Sequence, residues 1–104
     1  MYESQQVRQL PIHFKALANP TRLRIVERLA EHGEESVNDL ALHLRMSQPR
    51  VSWHLSLLKK GGVLTQRREG RQVYCSLDRE SIRRFQLLFW ELIDQHKRIE
   101  VRMV

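Results

Sequence analysis

The chain has 104 residues, of which 41% are hydrophobic and 29% are charged, and its formal net charge is +6. This length fits one domain with a modest core, and no apolar run approaches the roughly 20 residues that a membrane span needs. Residues 1–6 lack the basic and apolar stretches of a signal peptide, and the single cysteine excludes an internal disulfide framework. These features predict a cytoplasmic protein with no membrane partner.

The positive charge is concentrated in one quarter of the chain. Residues 47–72 carry six Lys or Arg side chains and one Glu, whereas the charges of residues 1–46 balance and residues 73–104 have a surplus of one. Phosphate contacts would benefit from such a surplus, and the alternative is a solvated surface that only aids solubility. The concentration of the charge in one segment favours nucleic acid as the partner.

Apolar residues at helical spacing predict two helices in the first third of the chain. The first covers about residues 5–17, where Pro11 starts or kinks it. The second begins at Pro20 after the capping Asn19 and ends at Gly33. The second helix is expected to bury Leu23, Val26 and Leu29. The apolar residues of the first helix, which we expect to assist a homodimer, are Val7, Leu10, Phe14 and Leu17.

Two further helices follow with only a tight turn between them. Ser36 and Asp39 form a capping-box pattern that opens a short third helix. After a turn at residues 45–46, Ser47 caps a fourth helix over about residues 48–60. A short helix, a tight turn and a second helix indicate a helix-turn-helix, although the glycine often found in the turn is missing. The apolar residues of the two helices are Leu40, Ala41, Leu44, Val51, Leu55 and Leu58.

After residue 62, the spacing of the apolar residues changes from a helical pattern to an alternating one. Residues 63–77 predict a hairpin whose connection contains Gly70, and a last helix follows over about residues 80–102, capped by Asp78 or Ser81. The predicted fold class is therefore α+β and mostly helical, in a single domain that covers residues 1–104. No catalytic set with supporting sequence context and no phosphate-binding glycine loop is evident, so we expect no enzyme.

One face of the fourth helix is polar and basic, and the hairpin adds more positive charge. In a DNA major groove, Gln can pair bidentately with adenine and Arg with guanine, so such a face suits sequence-specific binding. Ser47 is better explained as the cap of its own helix, although its hydroxyl could share a phosphate. The residues predicted to contact DNA are Ser47, Gln48, Arg50, Ser52, Trp53, Ser56 and Lys59 on the helix and Arg67, Arg68 and Arg71 on the hairpin.

Four ordered motifs in this chain resemble the ArsR/SmtB family of small bacterial repressors. The motifs lie at residues 17–25 (LANPTRLRI), 39–41 (DLA), 46–58 (MSQPRVSWHLSLL) and 67–74 (RREGRQVY), and the resemblance spans roughly residues 14–78. It implies a winged helix-turn-helix, with a recognition helix in the major groove, a two-stranded hairpin as the wing, and an N- and C-terminal helical dimerisation layer. Such proteins are typically homodimers that metal ions or other signals release from operator DNA.

Two residues of the recognition helix need separate interpretations. Trp53 lies beside the apolar face, and we expect it to be partly exposed on the DNA side, where family members often carry Arg or His. Its indole could contact a thymine methyl group or pack on a sugar. His54 lies nearer the core and is predicted to be a hydrogen-bonded structural histidine.

The family that this chain resembles has two familiar metal sites, and the chain lacks the ligands of both. Ser36 and Asn38 replace a Cys-x-Cys pair, and Arg79 and Ser81 replace the first ligands of a site on the last helix. We therefore predict no metal and no cofactor at these positions. An alternative is a metal-gated sensor with a non-standard site near Asp94 and His96, and the ion or small molecule that acts as effector stays unknown.

The last helix carries an apolar seam that predicts a homodimer. Its members recur at alternating spacings of three and four, as in a coiled coil, and His96 occupies one of the slots. A dimer would present two recognition helices to a pseudo-palindromic operator. A winged-helix module that binds protein instead of DNA is a further alternative, and Cys75 is expected to be a buried small hydrophobe. The residues of the predicted interface are Leu10, Phe14, Ile82, Phe85, Phe89, Leu92, His96 and Ile99.

Overall fold

The computed structural model describes the backbone of residues 5–103 and the side chains of residues 7–95. The helices and strands of this part of the chain are α1 (Gln5–Arg8), α2 (Leu10–Leu17), α3 (Pro20–His32), β1 (Glu34–Ser36), α4 (Val37–Leu44), α5 (Gln48–Lys60), β2 (Leu64–Glu69), β3 (Gln72–Leu77) and α6 (Arg79–Met103). The recognition helix therefore has the bounds that its capping Ser47 and terminal glycines predicted. The first predicted helix is divided into α1 and α2, and Pro11 lies in the first turn of α2.

The three strands form one antiparallel sheet in the order β1-β3-β2. The hairpin of β2 and β3 confirms the predicted wing, and Gly70 occupies its turn with a φ of 62°. The prediction of a two-stranded wing missed β1, which pairs with β3 through Glu34 and Ser76 and through Ser36 and Tyr74. Three polar residues carry too little alternation to predict a strand, and only the distant partner strand completes their hydrogen bonds.

The core lies where α3, α4 and α5 meet the base of the sheet. Ile25, Leu29, Leu40, Val51, Leu55, Leu58, Val63, Leu64 and Cys75 are buried there. The prediction that Leu23 is buried is wrong, because its side chain is 51% exposed. Arg22 faces inward instead, and its guanidinium donates hydrogen bonds to the carbonyl oxygens of Ala16 (2.7 Å) and Lys15 (3.5 Å) in the last turn of α2. A cation at a helix C-terminus satisfies carbonyls that have no partner within the helix.

The turn between α4 and α5 is formed without a glycine. Arg45 adopts a left-handed conformation with a φ of 56°, and its N–H caps the end of α4. Ser47 then accepts a hydrogen bond from the backbone N–H of Arg50 (3.4 Å), which fixes the start of α5. This geometry holds α5 against α4 in the helix-turn-helix arrangement.

The C-terminal end of α5 packs against both terminal helices. A Cβ atom on Gly61 would lie 2.7 Å from Cβ of Ala16, so the α2 backbone approaches Gly61 closely. The buried His13 donates a hydrogen bond from Nδ1 to the Gly61 carbonyl oxygen (2.6 Å), and its ring stacks on Phe85 of α6 at 4.3 Å. Its Nε2 has no hydrogen-bond partner in the described part of the chain. The sequence gives no sign of this role of His13, since the hydrogen bond joins residues 48 positions apart.

Among the described residues, no helix is both long and apolar enough to cross a membrane.

Candidate nucleic-acid interface

An open groove of about 690 Å³ runs between α5 and the wing. We call it the wing groove. Polar and basic side chains dominate its lining, and no Asp or Glu contributes to it. Its lining residues are Val37, Asn38, Gln48, Ser52, Ser56, Lys59, Lys60, Gln66, Arg71, Gln72 and Val73. The groove therefore combines hydrogen-bonding amides and hydroxyls with positive charge, which is the chemistry that contacts to nucleic acid need.

The structure brings five of the ten predicted DNA contacts together in the wing groove. Gln48, Ser52, Ser56 and Lys59 lie in the groove with Arg71. The predicted contacts Ser47, Gln48, Arg50, Ser52, Trp53, Ser56, Lys59, Arg67, Arg68 and Arg71 are all exposed.

A chain of side-chain amides crosses the groove at the start of α5. Gln48 donates a hydrogen bond from Nε2 to Oδ1 of Asn38. Asn38 in turn donates from Nδ2 to Oε1 of Gln72 on β3 (3.4 Å). From the sequence, Asn38 is visible only as the replacement of a metal ligand, because its contacts depend on how the wing packs against α4 and α5. The amide chain links the recognition helix, the start of α4 and the wing.

The structure confirms the predicted exposure of Trp53 and the predicted hydrogen bond of His54 in the middle of α5. The Trp53 side chain is 57% exposed and lies on the outer side of the helix. His54 is buried, and its Nδ1 accepts a hydrogen bond from the Arg22 guanidinium (3.1 Å). The guanidinium carbon of Arg22 lies 5.8 Å from the centre of the Trp53 ring, which places a cation against the indole. Burial, and then the positive charges of Arg22 and Arg50, lower the pKa of His54.

The three arginines of the wing have different environments. Arg67 donates hydrogen bonds to both carboxylate oxygens of Glu34 (2.9 and 2.8 Å) and to Glu69 (3.0 Å), and it stacks on Tyr74 at 4.6 Å. These carboxylates raise the pKa of Arg67, and the Arg67 bond lowers the pKa of Glu34. Arg68 and Arg71 form no ion pair within the part of the chain that the structure describes. Arg67 therefore joins β1 to the wing, whereas the other two cations are not neutralised.

The residues that replace the family's metal ligands have other partners. The Ser36 hydroxyl accepts a hydrogen bond from the Asp39 N–H and caps α4, and Asn38 belongs to the amide chain. Near the last helix, the Ser81 N–H donates to Asp78, and Arg79 is exposed. Among the described side chains, no group of three His, Cys, Asp or Glu residues could hold a metal ion. The predicted alternative at Asp94 and His96 is not tested, since the His96 side chain lies outside the described residues.

Cys75 is fully buried on β3, as predicted. Burial raises the pKa of its thiol, and a hydrogen bond from Gln66 (3.6 Å) opposes this effect. A thiol that is buried and protonated is a poor nucleophile.

An apolar surface that no other described residue covers lies on the outer side of α2 and α6. We call it the outer apolar face, and it consists of Phe14, Phe89, Trp90 and Ile93. The Phe14 and Phe89 rings meet edge to face at 5.2 Å, and the Phe89 and Trp90 rings lie 6.5 Å apart. The predicted seam omitted Trp90 and Ile93, because strict spacings of three and four drift from the 3.6-residue turn of a straight helix.

Other residues of the predicted seam are buried by contacts within the same chain, so less of their surface is left for a partner. Leu10 and Phe85 are buried, and Ile82 packs against the core. Leu92 is partly buried, and the side chains of His96 and Ile99 lie outside the described residues. The predicted seam and the outer apolar face therefore share only some of their residues, and the dimer interface itself stays a prediction.

A helix-turn-helix whose second helix is flanked by an antiparallel hairpin defines a winged helix-turn-helix protein. A family model described as "Bacterial regulatory protein, arsR family" matches residues 19–66. Together with the relatives described next, this match shows that the chain belongs to the arsR family of bacterial regulatory proteins. The resemblance inferred from the four motifs is confirmed.

Two curated relatives illustrate the similarity. The arsenical resistance operon repressor of Escherichia coli is 49% identical over 69 residues, which are 65% of this chain and 59% of the repressor. The transcriptional repressor SdpR of Bacillus subtilis is 38% identical over 65 residues, which are 62% of this chain and 71% of SdpR. The chain thus spans less than two thirds of the Escherichia coli relative.

A solved structure shows the same architecture. The homodimeric winged helix-turn-helix DNA-binding domain of a possible ArsR-family regulator from Mycobacterium bovis superposes with a TM-score of 0.68. It is 35% identical, and the match covers 86% of this chain and 82% of that domain. Residues on both sides of the 19–66 segment therefore share the fold as well.

Proposed function

We propose that this chain forms a homodimer that binds operator DNA sequence-specifically and represses transcription. The observation that carries this proposal is the wing groove, where the polar face of α5 and the wing meet without a carboxylate. Negative side chains facing the phosphates would oppose binding, and no Asp or Glu lines the groove. The names of the two curated relatives, which are repressors, support the direction of the regulation.

The proposed contacts fall into two groups. Gln48, Arg50, Ser52 and Trp53 lie on the exposed side of the first half of α5, and we assign them to base edges. We assign the phosphate backbone to Ser56 and to three cations that form no ion pair with the described residues, Lys59, Arg68 and Arg71. Ser47 caps its helix and Arg67 holds the wing, so both contribute mainly by positioning these groups.

Two copies of the chain would pair through the outer apolar face. Four large apolar side chains in one exposed patch mark an interaction surface in a small protein. The homodimeric Mycobacterium bovis domain supports a second copy as the partner. A two-fold dimer would read a pseudo-palindromic operator with half-sites about 10 base pairs apart.

We further propose that the family's usual metal positions do not carry the releasing signal here. Ser36 and Asn38 are engaged in a helix cap and in the amide chain, and Arg79 would repel a cation. An ion or small molecule that binds elsewhere is the effector in this proposal.

Binding to DNA from upstream of the chain's own gene tests the proposal, measured by fluorescence anisotropy at several salt concentrations. Affinity should fall steeply with salt, and Arg71→Gln should reduce the slope of log Kd against log salt by about 1.8, because each of the two chains loses one phosphate contact. Arg67→Gln is the matched control, because two carboxylates already neutralise that cation, and its slope should change less. Salt-insensitive binding, or a larger loss of slope for Arg67→Gln, would contradict the proposal.

A further inference from the structure

Asn38 lies outside the recognition helix, at the second position of α4, yet it contacts the first residue of α5. Its Oδ1 accepts a hydrogen bond from Nε2 of Gln48, and its own amide N–H is donated to Gln72. All three residues line the wing groove. Asn38, on a neighbouring helix, therefore holds the side-chain amide of Gln48, the first residue of α5 that is proposed to contact a base.

This contact fixes which way the Gln48 amide points. A free glutamine amide can turn over and exchange its donor and its acceptor along a base edge. With one N–H held by Asn38, the Gln48 carbonyl oxygen and the second N–H are the groups left for a base. The bond from Asn38 to Gln72 fixes the orientation of Asn38 in the same way, since it uses the amide N–H of Asn38 as the donor.

We infer that Asn38 is a positioning residue for sequence recognition, which sets the base preference of Gln48 from outside the recognition helix. This inference rests on the proposed function, because it assumes that Gln48 contacts a base. It predicts that the effect of Asn38 on DNA binding passes through Gln48, so the two side chains are strongly coupled. A direct contact of Asn38 with DNA would make their effects additive instead.

A double-mutant cycle tests this inference on the preferred operator and on operators changed at single base pairs. Asn38→Ala should lower the preference by about three- to tenfold at the base pair where Gln48→Ala lowers it. A well-oriented bidentate contact discriminates by roughly 5- to 150-fold, so a loosened one retains only part of this preference. Adding Asn38→Ala to Gln48→Ala should cause no further loss. The substitution leaves the Ser36 cap intact and places a good helix former in α4, so we expect the variant to fold.

Thr65→Ala provides the matched control. It removes another exposed side-chain hydrogen bond, the one between the hydroxyls of Thr65 and Ser76 (3.3 Å) on the wing, and should leave the base preference unchanged. An unchanged preference in Asn38→Ala, or additive losses in the double variant, would overturn the inference while the proposed function stands. If the unmodified protein shows no base preference at all, the proposed function itself fails.

Discussion

Among single residues, His54 on the buried face of α5 contacts Arg22 of α3. The Arg22 guanidinium donates hydrogen bonds to His54 Nδ1 and to the carbonyls at the end of α2. His54 can accept this bond only while its imidazole is uncharged. A protonated His54 would place two cations 3.1 Å apart in a buried site. The lowered pKa of His54 follows from this arrangement.

The pH dependence of stability should reveal this histidine. Because the pKa of His54 is lower in the folded chain than in the unfolded chain, only the unfolded chain takes up the proton just below pH 6.5. The free energy of unfolding should therefore fall as the pH decreases below about 6.5. His54→Asn keeps an acceptor for Arg22 and should flatten this part of the profile, measured by urea denaturation at fixed protein concentration.

The exposed His43 on α4 supplies the control for this measurement. His43→Asn should retain the slope of the unmodified protein between pH 5 and pH 6.5. An equal slope in His54→Asn would show that His54 does not cause the loss.

At the scale of elements, the end of α5 is the point where the recognition helix meets the terminal helices. Gly61 lies against α2, and Gly62 lies against α6, where a Cβ would come within 2.7 Å of both Phe85 and Ser81. The sequence indicates these glycines only as a helix end, because their close neighbours come from distant segments. The position of the recognition helix relative to α6 thus depends on the absence of a side chain at residue 62.

Two glycine substitutions separate this packing from backbone strain. Gly62→Ala and Gly70→Ala both place a side chain at a positive φ (74° and 62°), but a Cβ at Gly70 meets nothing within 4 Å. Gly70→Ala should lower the free energy of unfolding by about 1 kcal/mol, and Gly62→Ala by about 1–3 kcal/mol more. Denaturant unfolding of both variants checks this, and equal losses would mean that α6 does not pack closely on residue 62.

Local signals predicted most elements, and non-local contacts account for the failures. The bounds of α5 follow from Ser47 and the glycines that flank the helix, so the sequence alone predicted them correctly. β1 was missed because its pairing partner lies 40 residues away. Leu23 was wrongly placed in the core because the apolar pattern gave no sign that Arg22 would be buried to satisfy the carbonyls of α2.

The candidate site shows the same division between local signals, which the sequence reveals, and contacts between distant segments, which it does not. Composition and helical spacing predicted which face of α5 is polar, and all the predicted contacts are exposed. The sequence did not show that Arg67 is held by Glu34, or that Asn38 reaches Gln48, since both contacts join separate elements.

At the scale of the whole molecule, the described chain leaves one apolar surface without a partner. Phe14, Phe89, Trp90 and Ile93 form it, and the Trp90 side chain is 59% exposed. The wing groove lies between α5 and the wing, whereas this face belongs to α2 and α6. Such a separation would let one surface join two chains while the other contacts DNA.

A charge on the outer apolar face should dissociate the proposed dimer. Trp90→Glu would bury a carboxylate without a partner, so the dimer Kd should rise by about 30-fold or more, measured by sedimentation equilibrium. Leu42→Glu is the control, because Leu42 on α4 is 78% exposed but lies outside this face, and its dimer Kd should not change. A monomeric unmodified protein, or equal effects of the two variants, would contradict the assignment of this interface.

The proposal that the chain is a sequence-specific homodimer is tested by selecting bound sites from randomised duplex DNA with the unmodified protein. A sequence-specific homodimer should enrich an inverted repeat whose half-sites are about 10 base pairs apart. Gln48→Ala should weaken the enrichment at one base pair of each half-site, since each chain contributes one Gln48. Recovery of random sequences, or of a site without two-fold symmetry, would contradict the claim.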